Sequence, residues 1–217
     1  MSPPRSGVRH PIFARMYQRM SAAAEKAGAA EHRARMLHGL CGRVVEVGAG
    51  NGLNFAHYPA TVTEVVAVEP ESYLRAKAKD VAERAPVRVR VVDGTADHLP
   101  LAAESVDAGV ASLVLCSVPD QTAALAELHR VIRPGGELRF YEHVAADDPR
   151  WARRQQRAER VWSWFAGGCH LTRQTAEAIE HAGFRVDSCD RFLFQPCFTA
   201  KLAAPHIVGR ATRAVAP

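Results

Sequence analysis

Short hydrophobic runs alternate with amphipathic stretches along most of the chain. β-Branched or strand-like runs occur at 44–47, 63–69, 106–115 and 137–144. Between them, hydrophobic residues recur at helical spacing, as they do on one face of an amphipathic helix. Strands that alternate with helices predict right-handed crossovers and a parallel, doubly wound α/β sheet. Ligands of such sheets bind at the carboxyl ends of the strands.

Three stretches in the middle of the chain predict individual helices and strands. Leu74, Ala78 and Val81 predict a helix, and alternation of valine with arginine over 87–91 predicts a half-solvated edge strand. A helix rich in leucine and valine over 125–132 should stop at Pro134-Gly135-Gly136.

The two ends of the chain also carry patterns. Pro11 to about Lys26 predicts a helix that covers the site as a lid, after a flexible arm at 1–10, and a second helical stripe follows to Leu40. Thr172 is expected to cap a last helix that ends near Gly183. The runs 184–190 and 198–213 predict two closing strands, one of them antiparallel.

The most informative stretch is V-V-E-V-G-A-G-N-G-L at 44–53. Alternate glycines let a strand turn sharply and let a ligand approach the backbone closely. A dinucleotide fingerprint would need a glycine at Leu53, so the spacing favours a different nucleotide-like ligand. Glu69 ends the next strand and can accept hydrogen bonds from ribose hydroxyls. Glu46 suits a cationic amino-acid group better than a pyrophosphate, which it would repel.

The segment E-V-G-A-G-N-G, followed by V-E-P, resembles the cofactor motifs of class I S-adenosylmethionine-dependent methyltransferases. The likeness extends from about His10 to Arg213. Later segments resemble one subfamily, the methyltransferase-like proteins that include the mammalian membrane-associated alkyl thiol methyltransferases. These segments are L-V-L-C-S-V, R-V-I-R-P-G-G, E-H-V-A-A, G-C-H-L-T-R and P-H-I-V-G. The resemblance implies one Rossmann-like domain over 11–217, with a mostly parallel seven-stranded sheet and a lid inserted at about 147–170.

The resemblance also implies S-adenosylmethionine as the cofactor and S-adenosylhomocysteine as the product. In the family, the N-terminal helix covers the cofactor and the segment after the third strand contacts adenine. The residues expected to bind the cofactor are Tyr17, Glu46, Gly48, Ala49, Gly50, Glu69, Pro70, Thr95, Ala96, Asp97 and Leu113.

Composition limits the remaining possibilities. Lysine and arginine exceed aspartate and glutamate by five (28 − 23), which falls short of a nucleic-acid signature. Five cysteines without a C-x-x-C pair argue against a disulfide framework or structural zinc, so we expect no metal. The first ten residues lack the apolar core of a signal peptide, and we expect a soluble, cytoplasmic protein. In that mammalian family the chain begins with a hydrophobic membrane-anchoring segment, which we do not expect in this protein. No pattern indicates an oligomeric state.

The stretch 150–165 combines five arginines with all three tryptophans. We favour a substrate lid, in which Trp162 and Phe165 line an apolar pocket opposite Cys116. The alternative is a helix that makes weak contact with a membrane surface.

Methyl transfer from a sulfonium depends mainly on positioning, and a thiol acceptor needs only a weak base. His143 and His170 are the candidate catalytic bases. The subfamily likeness favours a small lipophilic thiol as the acceptor. Methylation of oxygen or nitrogen in a small molecule or lipid headgroup is the alternative, and binding of the cofactor without turnover is another.

Overall fold

A single mixed β-sheet of seven strands organises the described part of the molecule. The computed structural model describes residue 18 and residues 20–215, so most of the predicted N-terminal helix and Tyr17 lie outside the described residues. The strands lie in the order β3-β2-β1-β4-β5-β7-β6. Their bounds are Gly42–Val47 (β1), Val62–Val68 (β2), Val89–Val92 (β3), Val106–Ser112 (β4), Ile132–His143 (β5), Phe184–Leu193 (β6) and Pro205–Arg213 (β7).

The first five strands run parallel, and β7 runs antiparallel to both of its neighbours. The predicted mostly parallel, doubly wound sheet is therefore confirmed, as is the expectation of an antiparallel closing strand. The run 87–91 does form an edge strand. Because β1 to β4 are adjacent, their carboxyl ends meet at one edge of the sheet.

Helices cover both faces of the sheet. The α-helices are Ala30–Leu37 (α1), Ser72–Ala82 (α2), Gln121–Val131 (α3), Pro149–Phe165 (α4) and Thr175–His181 (α5). A π-helical turn at Glu25–Ala29 leads into α1, and short 3-10 turns lie at Phe55–His57 and Phe198–Ala203. Gly28, with φ of 111°, makes a kink within this π-helical turn.

Besides the strands predicted at 106–115 and 198–213, which span only Val106–Ser112 and Pro205–Arg213, two further boundaries differ from the sequence-based expectations. Thr172 does not cap the last helix, because α5 begins only at Thr175. The intervening Arg173 belongs to the loop before the helix, where its side chain donates to backbone carbonyls of the loop after β4. The second is Pro134-Gly135-Gly136. The helix ends earlier, at Val131, and these three residues lie inside the long strand β5.

Two hydrophobic clusters form the core, one on each face. One contains Leu125, Leu128 and Phe140, and the other contains Leu37 and Phe55, all fully buried. Among the described residues, no helix has both the length and the apolar character needed to cross a bilayer.

Candidate active site

The glycine turn after β1 packs directly against the segment after β4. Gly48 has φ of 61°, a left-handed conformation that favours glycine. A Cβ atom at this position would lie 2.3 Å from Val114 Cγ2, which is far too close. The turn therefore requires glycine at 48 both for its conformation and for its packing.

Glu69 supports this turn from the end of β2. Its Oε2 accepts a hydrogen bond from the Gly50 N–H at 2.7 Å, and its Oε1 accepts one from the Glu71 N–H at 2.9 Å. Burial raises the pKa of the Glu69 carboxyl, and these backbone hydrogen bonds oppose the rise. The carboxylate is thus fixed beside the glycine turn, where the sequence predicted a ribose contact.

A buried polar network lies beneath the same turn. Glu46 accepts hydrogen bonds from Tyr58 Oη at 2.7 Å and from Asn54 Nδ2 at 2.9 Å. Arg33, which is only 4% exposed, donates to Asn54 Oδ1 and to Ser112 Oγ, both at 2.9 Å. Burial raises the pKa of Glu46 to about 7, although the bonds to Tyr58 and Asn54 oppose the rise. In the described structure Glu46 therefore forms hydrogen bonds with protein side chains. Its contact with a cationic ligand group stays a prediction.

The segment after β3 lies one strand further along. Thr95 and Ala96 are half-buried, Asp97 is exposed, and a single bridge pairs Thr95 with His98. Arg75 links this segment to the end of β2, since it donates to Asp93 Oδ2 and to the Glu69 and Pro70 carbonyls. Asp97 does not cap a helix, because no helix begins there.

We expect replacement of Asp97 by alanine to weaken binding of S-adenosylhomocysteine about fivefold. The reason is the loss of one hydrogen bond from the adenine amine, worth about 1 kcal/mol. Calorimetry with S-adenosylhomocysteine and with its inosine analogue, which lacks that amine, would check the result. The analogue should bind the wild type and Asp97→Ala equally well. Asp187→Ala, on the opposite edge strand, is the control, and equal weakening of both ligands by Asp97→Ala would contradict the adenine contact.

Leu113 follows the last residue of β4 in a strained conformation. Its φ is 56°, unusual for a residue other than glycine, and its N–H donates to the Tyr141 carbonyl at 2.7 Å. The Tyr141 hydroxyl is buried and has no hydrogen-bond partner among the described residues. Strain and an unpaired polar atom at strand ends are typical of a ligand site.

Four loop segments at one edge of the sheet thus fit a nucleoside cofactor with an amino-acid end. The turn that excludes a Cβ atom, the fixed carboxylate at Glu69 and the segment 95–97 come from neighbouring strands. Leu113 completes the row at the end of β4. Ala49 and Pro70 lie within the same loops, beside Gly48 and Glu69.

Glu142 organises the loop that follows β4. Its carboxylate is fully buried and accepts hydrogen bonds from three consecutive backbone amides, those of Val114, Leu115 and Cys116, at 2.9–3.1 Å. Burial raises the pKa of Glu142 well above its ordinary value. This side chain was not identified from the sequence, and it fixes the backbone at Cys116.

Cys116, His143 and Cys169 form a compact cluster beside that loop. His143 Nδ1 lies 3.2 Å from Cys169 Sγ and 3.9 Å from Cys116 Sγ. Contact with Cys169, together with burial, raises the pKa of the Cys116 thiol, whereas the same contact lowers the pKa of Cys169. Burial disfavours protonation of His143, but its contact with Cys116 outweighs burial and raises its pKa. His206, whose pKa burial lowers to about 3, packs edge-on against His143 with ring centroids 4.4 Å apart.

Comparison with known proteins identifies the family. A family model described as a methyltransferase domain matches residues 45–140. Thiol S-methyltransferase TMT1A of Homo sapiens is 36% identical over 174 residues, 78% of this chain and 70% of that protein. Thiol S-methyltransferase TMT1B of Homo sapiens is 38% identical over 184 residues, 82% of this chain and 74% of that protein. This chain belongs to the S-adenosylmethionine-dependent methyltransferases.

A solved structure supports the same fold for this methyltransferase. A methyltransferase of this class from Thermotoga maritima matches with a TM-score of 0.68 at 24% identity, covering 93% of this chain and 96% of that one. The predicted family and fold are therefore confirmed. S-adenosylmethionine is the cofactor of this class.

Helix α4, after β5, occupies the segment predicted to be a lid and is called the lid below. Gln155 anchors it, because its fully buried side chain accepts from the Ala146 N–H and donates to the Val144 and Leu202 carbonyls. Trp162 turns toward the molecule, and its indole nitrogen is buried.

His170 lies just beyond the lid and is bound to it. Its Nδ1 is 2.7 Å from Glu159 Oε1, and its backbone N–H donates to the Cys116 carbonyl at 2.7 Å. Glu159 also accepts from the Leu171 N–H. His170 thus joins the lid to the loop that carries Cys116, and its role as a base stays a prediction.

The outer face of α4 is open to solvent. Val161, Trp164 and Phe165 are 63%, 78% and 62% exposed, respectively. The exposed arginines of the same helix are Arg150, Arg153, Arg154, Arg157 and Arg160. The inward position of Trp162 therefore fits the interpretation of this helix as a substrate lid. The exposed position of Phe165 fits the alternative, in which the helix contacts a membrane surface. Both interpretations stay predictions.

Proposed function

We propose that this methyltransferase transfers the methyl group of S-adenosylmethionine to the sulfur of a small lipophilic thiol. The observation that carries the proposal is the similarity to two human thiol S-methyltransferases over more than three quarters of the chain. The arrangement of the loops after β4 and β5 agrees with it.

The acceptor is expected to bind beside Cys116. The neighbouring Val114 packs against the Gly48 turn, which brings the loop after β4 next to the cofactor site. Leu115 is fully buried and Cys116 almost so, and they make this surface apolar. In such a place the main contribution to rate is holding the sulfur about 3 Å from the methyl carbon.

The titratable groups near this surface suit a thiol better than a phenol or amine that needs a strong base. Glu142 is unsuited to act as the base, because three backbone amides occupy its buried carboxylate. The Nδ1 atoms of His143 and His170 are both engaged, at 3.2 Å from Cys169 Sγ and at 2.7 Å from Glu159 Oε1, respectively. A thiol with an ordinary pKa near 8.5 already supplies useful thiolate at neutral pH.

A panel of acceptors tests the proposal. We expect S-adenosylhomocysteine to form with aliphatic and aryl thiols, at a rate that rises with pH along the thiolate fraction of each acceptor. Phenols, amines and lipid headgroup analogues of similar size serve as the comparison. If phenols or amines are methylated and no thiol is, the result would contradict the thiol assignment and favour oxygen or nitrogen methylation. No turnover with any acceptor would favour a cofactor-binding protein.

Sulfonium displacement needs no metal in principle, and the sequence predicted a metal-free enzyme. That expectation rested on the absence of a local C-x-x-C pair. The fold, however, brings together two cysteines and a histidine that are far apart in the sequence.

A further inference from the structure

The side chains of Cys116, His143 and Cys169 have the geometry of a metal site. Their ligand atoms all lie within 4.8 Å of one another. Zinc bonds of about 2.3 Å to sulfur and about 2.0 Å to nitrogen place tetrahedral ligand atoms roughly 3.6 Å apart. The two nitrogen-to-sulfur distances, 3.2 Å to Cys169 and 3.9 Å to Cys116, lie on either side of that value. Small side-chain rotations would therefore suffice to bind the ion.

Three separate parts of the fold fix these ligands. Glu142 holds the Cys116 amide at 3.0 Å, and the Cys116 carbonyl accepts from the His170 N–H at 2.7 Å. Arg173 donates to the carbonyls of Leu115 and Val118 on either side of Cys116. His143 ends β5, whereas Cys116 and Cys169 lie in loops, and these hydrogen bonds hold the backbone of the Cys116 loop in place.

Polar hydrogens suited to thiolate sulfur surround the cluster. Ser117 Oγ lies 3.5 Å from Cys116 Sγ. The buried indole N–H of Trp162 has no hydrogen-bond partner in the described structure, and its proximity lowers the pKa of Cys169. A metal-bound thiolate would accept these hydrogens, as the outer contacts of metal sites commonly do.

The donor set indicates both the metal and the kind of site. Two sulfur atoms and one imidazole favour zinc over magnesium or calcium, which prefer oxygen. Three protein ligands leave the fourth tetrahedral position open, as in catalytic zinc sites. His143 is the half-buried member of the cluster, whereas both cysteines are buried.

We propose that Cys116, His143 and Cys169 bind a zinc ion whose fourth ligand is the sulfur of the acceptor thiol. This inference rests on the proposed thiol methylation and adds the way in which the thiol is activated. It departs from the expectation of a metal-free enzyme, which stays untested.

The chemistry balances without an oxidant or a reductant. The acceptor S–H gives its proton to the buffer when the sulfur binds zinc. The sulfur then attacks the methyl carbon, a new C–S bond forms, and the bond from that carbon to the sulfonium breaks. Its electron pair neutralises the sulfonium to give S-adenosylhomocysteine, and the methyl thioether, a weak zinc ligand, dissociates.

Metal content is the first test. Protein produced with zinc in the medium and purified under reducing conditions should hold about one zinc per chain. Cys116→Ser and Cys169→Ser should lose most of it, whereas Cys41→Ser, at an exposed cysteine, should keep it. Calorimetry with S-adenosylhomocysteine shows whether each variant is folded. If the two variants do not fold, removal of zinc from the wild type by a chelator and its return take their place.

Cobalt substitution tests the fourth position without turnover. Cobalt in the wild type should show thiolate-to-metal absorption, and an acceptor thiol added without cofactor should change the spectrum. An alcohol of the same shape should not. Thiol methylation at an undiminished rate by protein that binds no zinc, even after reconstitution, would overturn the metal site and leave the proposed function standing. A disulfide between Cys116 and Cys169 in the purified reduced protein would overturn it too. Bound zinc with no methylation of any thiol would sink the proposed function instead.

Discussion

Glu142→Ala is expected to lower the free energy of unfolding by about 3 kcal/mol or more. The substitution leaves the amides of Val114, Leu115 and Cys116 without their acceptor, and each unpaired buried donor costs about 1–3 kcal/mol. For a chain of this size, that loss should lower the melting temperature by about 6–12 °C. Thermal and urea denaturation would measure both quantities.

Two further substitutions isolate the cause. Glu142→Gln keeps one oxygen acceptor, so its effect should be smaller than that of alanine. Glu137→Ala removes a glutamate from the middle of the same strand, where it pairs with Arg139 and is partly exposed. A similar loss in Glu137→Ala and Glu142→Ala would show that the three amides are not the reason.

Glu69→Ala is expected to weaken binding of S-adenosylmethionine tenfold or more. A carboxylate that accepts from ribose hydroxyls contributes about 1.5–3 kcal/mol for each charged hydrogen bond. The substitution also frees the Gly50 amide, which Glu69 holds in the glycine turn. Calorimetric titration would measure the affinity.

Glu64→Ala is the matched control, because Glu64 lies on the same strand at the opposite end and pairs with Arg43. Its affinity for the cofactor should equal that of the wild type. Unchanged affinity in Glu69→Ala would remove this carboxylate from the cofactor site.

The cofactor loops could be predicted because their chemistry is local in the sequence. Gly48 and Glu69 belong to short motifs, and the alternating strands and helices specify which ends of the sheet they occupy. The structure confirms those positions at the ends of β1 and β2.

Other site residues could not be predicted, because tertiary contacts define them. Arg33 lies in a helical stripe of alanine and leucine, and a charged residue on that apolar face was the available signal. Cys169 and Cys116 have no common motif, so only the fold brings them together. Thr172 was assigned as a cap from its residue type, but the contacts of Arg173 keep that segment out of the helix.

The position of β7 has a consequence for synthesis of the chain on the ribosome. β6 joins the sheet only through β7, which lies between it and β5. Until Pro205–Arg213 has left the exit tunnel, the 12-residue strand β5 has an unpaired edge and β6 has no neighbour. Unpaired edges are templates for aggregation. Nascent chains that stop before β7 should therefore need chaperones, and His143 would lack the packing of His206 until translation is almost complete.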